Sequence, residues 1–460
     1  MSGLSSTLNI GLQGLEASQG ALDATSNNIA NANTVGYTRE VPEFSEDPET
    51  LSGGKIVGGG VSLTSLQSIR NELLNMQIQQ QTSAQSSANT LSASLQQIQT
   101  YFSSSSGNDI SSELAAFSSS LAQLSANPSS SSAQQGVLSS GQDLANAFST
   151  TAGALTSAQS QADSQVTETV SQINSLTSQI AQLNGQVAQL NAEGQDGGTV
   201  EDQRDQLVQQ LSTLTGISIT QNSGGETITT GNGTPLVMGS QSFTLQTATG
   251  SDGFQQVLDS NGNNITSSIQ GGQLGGAIQV RDQVIPGFLT QLNTLATQFA
   301  SAFNAAQAQG TDSNGDPGQD FFTLPANSND AAAGIAVALT SPSQVAIGSD
   351  GSAAGSGNVA NLSAAVTNNL ASGESASNAY ASLVFNVGNA ASNASTDSAA
   401  IGDNIEQLQN QQSAQSSVNI DEETTNLISF QTAYEAAARV VDTVQQLSTD
   451  TLNLGIEASF

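Results

Sequence analysis

The 460-residue chain contains no cysteine, no histidine and no tryptophan. Without Cys or His there is no thiolate nucleophile, no imidazole base, no disulfide and no ordinary zinc site. Cations are nearly as scarce: Arg39, Lys55, Arg70, Arg204, Arg281 and Arg439 stand singly against 38 carboxylates, giving a formal net charge of −32. Isolated cations do not neutralise a phosphate backbone, so nucleic-acid binding is excluded, and an anionic membrane surface would repel the chain. No run of about 18 apolar residues is present to span a bilayer. The first residues lack the basic segment and continuous apolar stretch of a Sec signal peptide, so these signals alone predict a cytoplasmic protein. Large apolar residues are spread thinly among Ser, Gln, Asn and 44 glycines, a composition that favours narrow helix-to-helix seams over one thick core.

What the chain does carry is seven-residue periodicity. Leu8, Leu15, Leu22 and Ile29, joined by Leu4 and Leu12, predict an amphipathic helix over 4–30. Asn27, Asn28, Asn31, Asn33 and Gly36 then end it, since Asn and Gly accept the left-handed conformation that closes helices. Residues 40–65, with two prolines and a glycine run, read as loop with short extended pieces. A helix is expected from near Leu66 to Phe102, and the serine runs at 103–106 and 129–132 mark breaks. Further on, Val166, Ile173, Ile180 and Val187 alternate with Thr169, Leu176, Leu183 and Leu190 as a four-heptad a/d seam. A shorter helix follows through Arg204, Leu207, Leu211 and Leu214. From Gly216 to about Ile269, β-branched and polar residues alternate between Gly/Asn turns, the pattern of hairpins. Helix returns with Phe288, Leu292, Leu295, Phe299 and Phe303 on one face; 310–375 reads as loops with small helices, and 376–413 as helix.

The last fifty residues mirror the first. Ile420, Leu427, Tyr434 and Val441 are seven apart, with Phe430, Ala437 and Val444 as matching d positions. Asn419 is placed to cap this helix with Glu422 closing a capping box, and Asp421, Glu422 and Glu423 set negative charge on the positive end of its dipole. Each end therefore carries a narrow apolar stripe, and the simplest way to bury both is against each other.

These ends also carry a resemblance. SNNIANANTVGYTR is similar to the signature of the bacterial flagellar rod, hook and hook-associated protein family, and VNIDEETTNLISFQTAYEAAARVV resembles the form found in its members at the hook–filament junction. EDQRDQLVQQLSTLTGISI and LGGAIQVRDQVIPGFLTQLNTLATQFASAFNAAQAQGTDSNGDPGQDFF agree with the same members. Two departures stand out. Val35 occupies a position where many relatives carry proline, and after Phe321-Phe322 the chain passes almost directly to SNDAAAGIAVALTS, where longer relatives insert an outer β domain.

The resemblance implies a structural role: a homo-oligomeric ring at the distal end of the hook, touching hook protein, a second junction protein and filament. It implies export through the flagellar type III channel without a cleaved signal peptide, with a chaperone at the C-terminal helix, which replaces the cytoplasmic expectation by an extracellular one. It implies an assembly interface of Leu8, Leu15, Leu22, Ile29, Asn28, Asn31, Asn33, Gly36, Tyr37, Ile420, Leu427, Phe430, Tyr434, Val441 and Val444. The expected fold is mainly α and elongated, with a discontinuous terminal coiled coil (1–38 with 414–460), a helical body (66–215 with 275–413), a β-rich subdomain (216–274) and a linker (39–65). Helix ordering costs roughly 1–2 kcal/mol per residue while a buried Leu returns about 1.5–3 kcal/mol, so the terminal helices are expected to order only among neighbours.

Plainer readings compete. Stripes at helical spacing also serve ordinary core packing. TDSNGDPGQD (311–320) offers Asp312, Asn314, Asp316 and Asp320 as oxygen donors but lacks the Glu at the twelfth position of a calcium loop, so a turn is expected and no metal. Arg204 and Arg281 are expected to pair with Asp202, Asp205 or Asp282 rather than to catalyse, and the serines have no base to activate them. No cofactor and no enzymatic activity are expected. Another axial subunit, from hook or filament, is the main alternative, and an acidic adhesin the other.

Overall fold

Helix dominates the computed structural model, which describes residues 2–34, 36–52, 55–102, 108–193, 197–222, 225–349 and 355–457. Val35 and the serine run at 103–106 lie outside these residues. The chain opens with α1 (Ser2–Asn31), followed by strands β1 (Glu40–Glu46), β2 (Thr50–Ser52), β3 (Lys55–Val57) and β4 (Val61–Ser68). Helices α2 (Glu72–Phe102), α3 (Ile110–Ala126), α4 (Ser131–Ala192) and α5 (Gly198–Leu214) come next. Six short strands follow: β5 (Ile217–Asn222), β6 (Gly225–Thr230), β7 (Pro235–Met238), β8 (Gln241–Ser242), β9 (Gln246–Thr249) and β10 (Gln255–Leu258). The remainder is α6 (Gly272–Gln279), a π-helical stretch (Val280–Val284), α7 (Ile285–Gln307), β11 (Phe322–Thr323), α8 (Ala331–Gly334), β12 (Ala336–Val337), α9 (Val359–Thr367), α10 (Ala376–Ser416) and α11 (Ile420–Glu457).

Two compact units emerge from the packing: 1–82 with 172–245 and 402–460, and 83–171 with 246–401. The first holds both chain ends, and α2, α4 and α10 each contribute to both units. The expected boundaries at 38, 215 and 413 are not where this division falls.

In the second unit a contiguous apolar core gathers residues of α2, α3, α4, α7, α9 and α10. Phe117 of α3 stands among Phe299, Phe303, Phe321 and Phe322, with ring centroids 5.0–6.1 Å away. Asn304 pins the Phe pair, its Oδ1 accepting from the Phe321 and Phe322 amides at 2.9 Å. The sparse aromatics are thus concentrated, and the expectation that no thick core would form fails for this unit. The buried Arg281, in the π-helical stretch, donates to Asp163 (2.7 Å), Asp282 (2.6 Å) and the Gln255 carbonyl (2.6 Å), fastening β10 to α4. The 311–320 loop is a turn: the Asp312 carboxylate accepts from the amides of Asn314 (2.8 Å) and Asp316 (2.9 Å).

Three local expectations are corrected. The stretch from Val61 to Ser68 is a strand, because its alternating side chains pair with β1 from Glu40↔Ser68 to Glu46↔Val61; α2 starts only at Glu72, where Asn71 Oδ1 caps the Leu74 amide at 3.1 Å. The segment taken as a linker is therefore a paired hairpin. On α4 the a positions Val166, Ile173, Ile180 and Val187 are buried, and so is Thr169, but beyond it the companion row is Val170, Thr177 and Asn184; Leu176, Leu183 and Leu190 are only half-buried. Polar groups set this choice. Asn184 Nδ2 donates to the carbonyls of Glu226 (3.1 Å) and Gly239 (3.0 Å), and Asn174 both gives to and takes from Leu245, so α4 presents amides to the hairpins beside it.

Candidate assembly interface

The terminal helices pair within the first unit. They run antiparallel: Gly11 faces Val441, where an added Cβ would lie 3.0 Å from Cγ2, Gly14 faces Ala437, and Asn28 reaches Glu423. Apart from Asn28, the buried positions of α1 are small, namely Gly11, Ala17, Ser18, Ala21, Ala24 and Thr25, with the Ser18 and Thr25 hydroxyls turned back onto carbonyls four residues earlier. Gly20 admits Leu63 of β4, whose Cδ2 would stand 2.4 Å from a Cβ there. α1 is therefore gripped on two sides, and close backbone approach leaves Leu8, Leu15, Leu22 and Ile29 half-buried at the margins. Leu427, Phe430, Tyr434 and Val441 of α11 are likewise half-buried and Val444 is buried, whereas Ile420 is 51% exposed and takes no part in the seam. The shift in strand pairing at Glu43/Phe44 turns Phe44 towards Phe430, with centroids 6.2 Å apart.

A polar hub closes the pair at the other end. Buried Asn28 uses both sides of its amide: Nδ2 donates to the Glu40 carbonyl (2.7 Å) and Glu423 (3.1 Å), while Oδ1 accepts from the Glu40 amide (3.0 Å) and the Tyr37 hydroxyl (2.8 Å). Arg39 completes it, with Nε 2.7 Å from Glu423 and a terminal nitrogen 2.8 Å from Glu422. Burial pulls the Arg39 guanidinium down, but its hydrogen bonds to Glu422 and Glu423 outweigh that and hold it above its ordinary range. The expected capping box is corrected here. Asn419 does cap α11, its Oδ1 accepting from the Asp421 amide at 3.1 Å, but Glu422 is drawn to Arg39 instead of closing the box.

The hub continues into α5. Asp202 accepts from the Thr38 amide (3.0 Å) and hydroxyl (2.7 Å), and Arg70 joins Asp202 (2.6 Å) to Asp205 (2.8 Å). Arg204 pairs with Asp205 as expected, at 3.3 Å, and also with Glu226 of β6 at 3.0 Å. Arg70, Arg204, Asp205 and Glu226 border a cavity of about 780 Å³, walled on its apolar side by Met76, Val187 and Ile219. Burial pushes the Glu226 carboxyl up to about 7, with Arg204 only partly opposing it; burial also raises Asp202 and Asp205.

Of the remaining expected residues, Asn31 is part of the helix-ending turn: its Nδ2 donates to the Asn27 side chain (2.8 Å) and its Oδ1 accepts from Thr34 (3.1 Å). Asn33 is exposed. Gly36 adopts φ +80°, and a Cβ there would meet Gln206 at 2.6 Å, so only glycine suits both the conformation and the space. The reading from sequence missed Thr38, Arg39, Arg70, Asp202 and Glu423. A signal was present: in a chain with six cations, each arginine flanked by carboxylates is a candidate hub. Nothing in the site offers a nucleophile with a base, and among the described residues no group of carboxylates is arranged to hold a metal ion. No described helix is long and apolar enough to cross a membrane.

The helical body and both ends have counterparts among known proteins. Residues 95–322 match the family model for the flagellar hook-associated protein FlgK helical domain. Residues 8–38 match that for flagella basal body rod protein, and 409–454 that for the flagellar basal body rod FlgEFG protein C-terminal. Flagellar hook-associated protein 1 of Escherichia coli K12 is 29% identical over 98% of this chain and all of the relative. These matches mark the chain as a flagellar hook-associated protein. A second relative, flagellar hook-associated protein 1 of Bacillus subtilis 168, is 29% identical over 95% of this chain and 96% of its own length. The flagellar hook junction protein FlgK from Burkholderia pseudomallei shares the fold, with a TM-score of 0.66 at 19% identity over 73% of this chain and 99% of that one. As a flagellar hook-associated protein the chain is a structural component of the flagellum. The alignment with the Escherichia coli relative runs over 549 positions, so that relative carries segments this 460-residue chain lacks.

Proposed function

We propose that the chain is the adaptor that joins hook to filament, acting as a ring of identical subunits outside the cell. The observation that carries this reading is the one-sidedness of α11. Its 38 residues bury a single stripe, and Ile420, Ile428, Val440, Leu447 and Leu452 remain 41–60% exposed. A helix with so much uncovered apolar surface is incomplete until other subunits surround it. The helical-domain match over 95–322 favours the junction over another axial position, since the end matches alone fit rod subunits as well.

In this reading the chain leaves by the flagellar type III route, with an export chaperone covering the C-terminal stripe. Hook protein lies on one side of the ring and a second junction protein with the filament on the other. The half-buried seam residues Leu8, Leu15, Leu22, Ile29, Leu427, Phe430, Tyr434 and Val441 become fully covered on assembly, and their helices gain most of their stability there.

Labelled antibody on detached flagella tests the location; label anywhere but the hook–filament boundary rejects the junction role. Leu22→Asp and Val441→Asp place a charge in the seam and are expected to abolish motility while leaving the second unit folded. Hydrogen exchange on the single chain tests coupled ordering: α1 and α11 should exchange far faster than α7, and equal protection defeats that part of the reading.

A further inference from the structure

Arg439 lies on the exposed side of α11, and among the described residues it forms no ion pair, although Glu435 and Asp442 stand four residues before and three after it. Arg39, Arg70, Arg204 and Arg281, by contrast, are all paired. In a chain of net charge −32, copies repel one another except where a free cation meets a carboxylate. Eleven residues before Arg439, three helical turns and about 16.5 Å along the same side, stands Ile428, 59% exposed. The exposed row of α1 (Ser5, Asn9, Leu12, Glu16, Gln19, Asp23) carries one large apolar residue, Leu12, 42% exposed, and eleven residues after it the carboxylate of Asp23. The apolar-to-charge interval is the same on both rows.

We propose that a second copy of the chain lays the exposed row of its α1 along the exposed row of α11, parallel, with Leu12 on Ile428 and Asp23 opposite Arg439. The same alignment sets Gln19 opposite Glu435 and Glu16 opposite Thr432, so no two carboxylates face each other. An antiparallel arrangement that pairs Arg439 with Glu16 instead sets Ile428 against Asn27. Within one chain the two helices are antiparallel and meet through their opposite sides, Gly11 at Val441, so this contact is available only between copies. The inference rests on the ring reading above and names the surface through which one subunit holds the next.

Charge reversal tests it on the full chain, because both residues are exposed and neither supports the fold of its own molecule. Arg439→Asp should weaken self-association and retention on isolated hooks by about tenfold or more, with an unchanged unfolding curve, and adding Asp23→Arg should restore both. Normal assembly of Arg439→Asp, or loss without rescue by Asp23→Arg, overturns the contact. The absence of native cysteine permits a second measurement: Leu12→Cys protein mixed with Ile428→Cys protein should form a disulfide-linked heterodimer in preference to either homodimer. No such preference, in a protein whose unsubstituted form still assembles, defeats the docking and leaves the ring reading standing. An unsubstituted chain that never self-associates, even on hooks, defeats both.

Discussion

Helices α7 and α11 look alike as sequences and differ as structures. Both repeat large apolar residues along one side. α7 drives Phe288, Leu292, Leu295, Phe299 and Phe303 into a core where each is buried, whereas α11, the longer of the two, fully buries Val444 alone among its large described apolar side chains. The α7 side chains meet other large residues, Phe117, Phe321 and Phe322 among them, which fill the space around them. On α11, Val440, Val441 and Ala437 meet Gly11 and Gly14 of α1, which lets backbones approach but supplies little area. The same periodicity therefore makes a self-sufficient core in one place and a partly covered stripe in the other. What the partner helix presents decides which.

The sharpest way to break the contrast is to empty the aromatic core. Phe117→Ala removes a ring in contact with four others and should cost about 3–5 kcal/mol, read as lost hydrogen-exchange protection in α3 and α7. The corresponding blow to the terminal pair is electrostatic. Arg39→Ala leaves Glu423, whose side chain is 2% exposed, buried without its cation, and should cost about 3 kcal/mol, read as early exchange at 28–40 and 420–430 with α7 unaffected. Gly11→Leu overfills the α1–α11 approach at Val441 and should cost about 1–3 kcal/mol, again in this helix pair with α7 unaffected. The smallest effect separates the hub from the aromatic core by pH. Glu226, raised to about 7 from an ordinary 4.5, keeps its proton in the folded chain after the unfolded chain has lost it. The folded state therefore binds the extra proton across that window, and its stability should fall as pH climbs from 4.5 to 7. Exchange protection around β6 and α5 should follow this trend, Glu226→Gln should flatten it, and α7 should not respond.

Much of this was legible in the sequence because apolar periodicity reports helices well. The extents of α1, α7, α10 and α11 and the hairpins after Gly216 follow from spacing and turn residues alone. The misreadings share one cause: long-range polar partners. Spacing assigns Glu422 to its own helix cap, but a guanidinium some 380 residues earlier in the chain competes for it. Spacing pairs Ile173 with Leu176 and Ile180 with Leu183, but Asn184 must face a hairpin, which rotates the buried row to Val170, Thr177 and Asn184. Leu66 reads as helix until β1 offers it a strand to pair with. Of the interface, the apolar members were visible, while the hub of Thr38, Arg39, Arg70, Asp202 and Glu423 becomes visible only when distant segments are brought together.

Asn28 has a consequence for how the two ends find each other. A heptad seam of small side chains is smooth, and slipping it by seven residues would cost little in apolar contact. Such a slip would carry Glu423 away from Asn28 and Arg39 and strand a buried carboxylate without its amide and its cation. One asparagine thus makes a single alignment of head and tail cheaper than its neighbours, so the two terminal helices meet at one height.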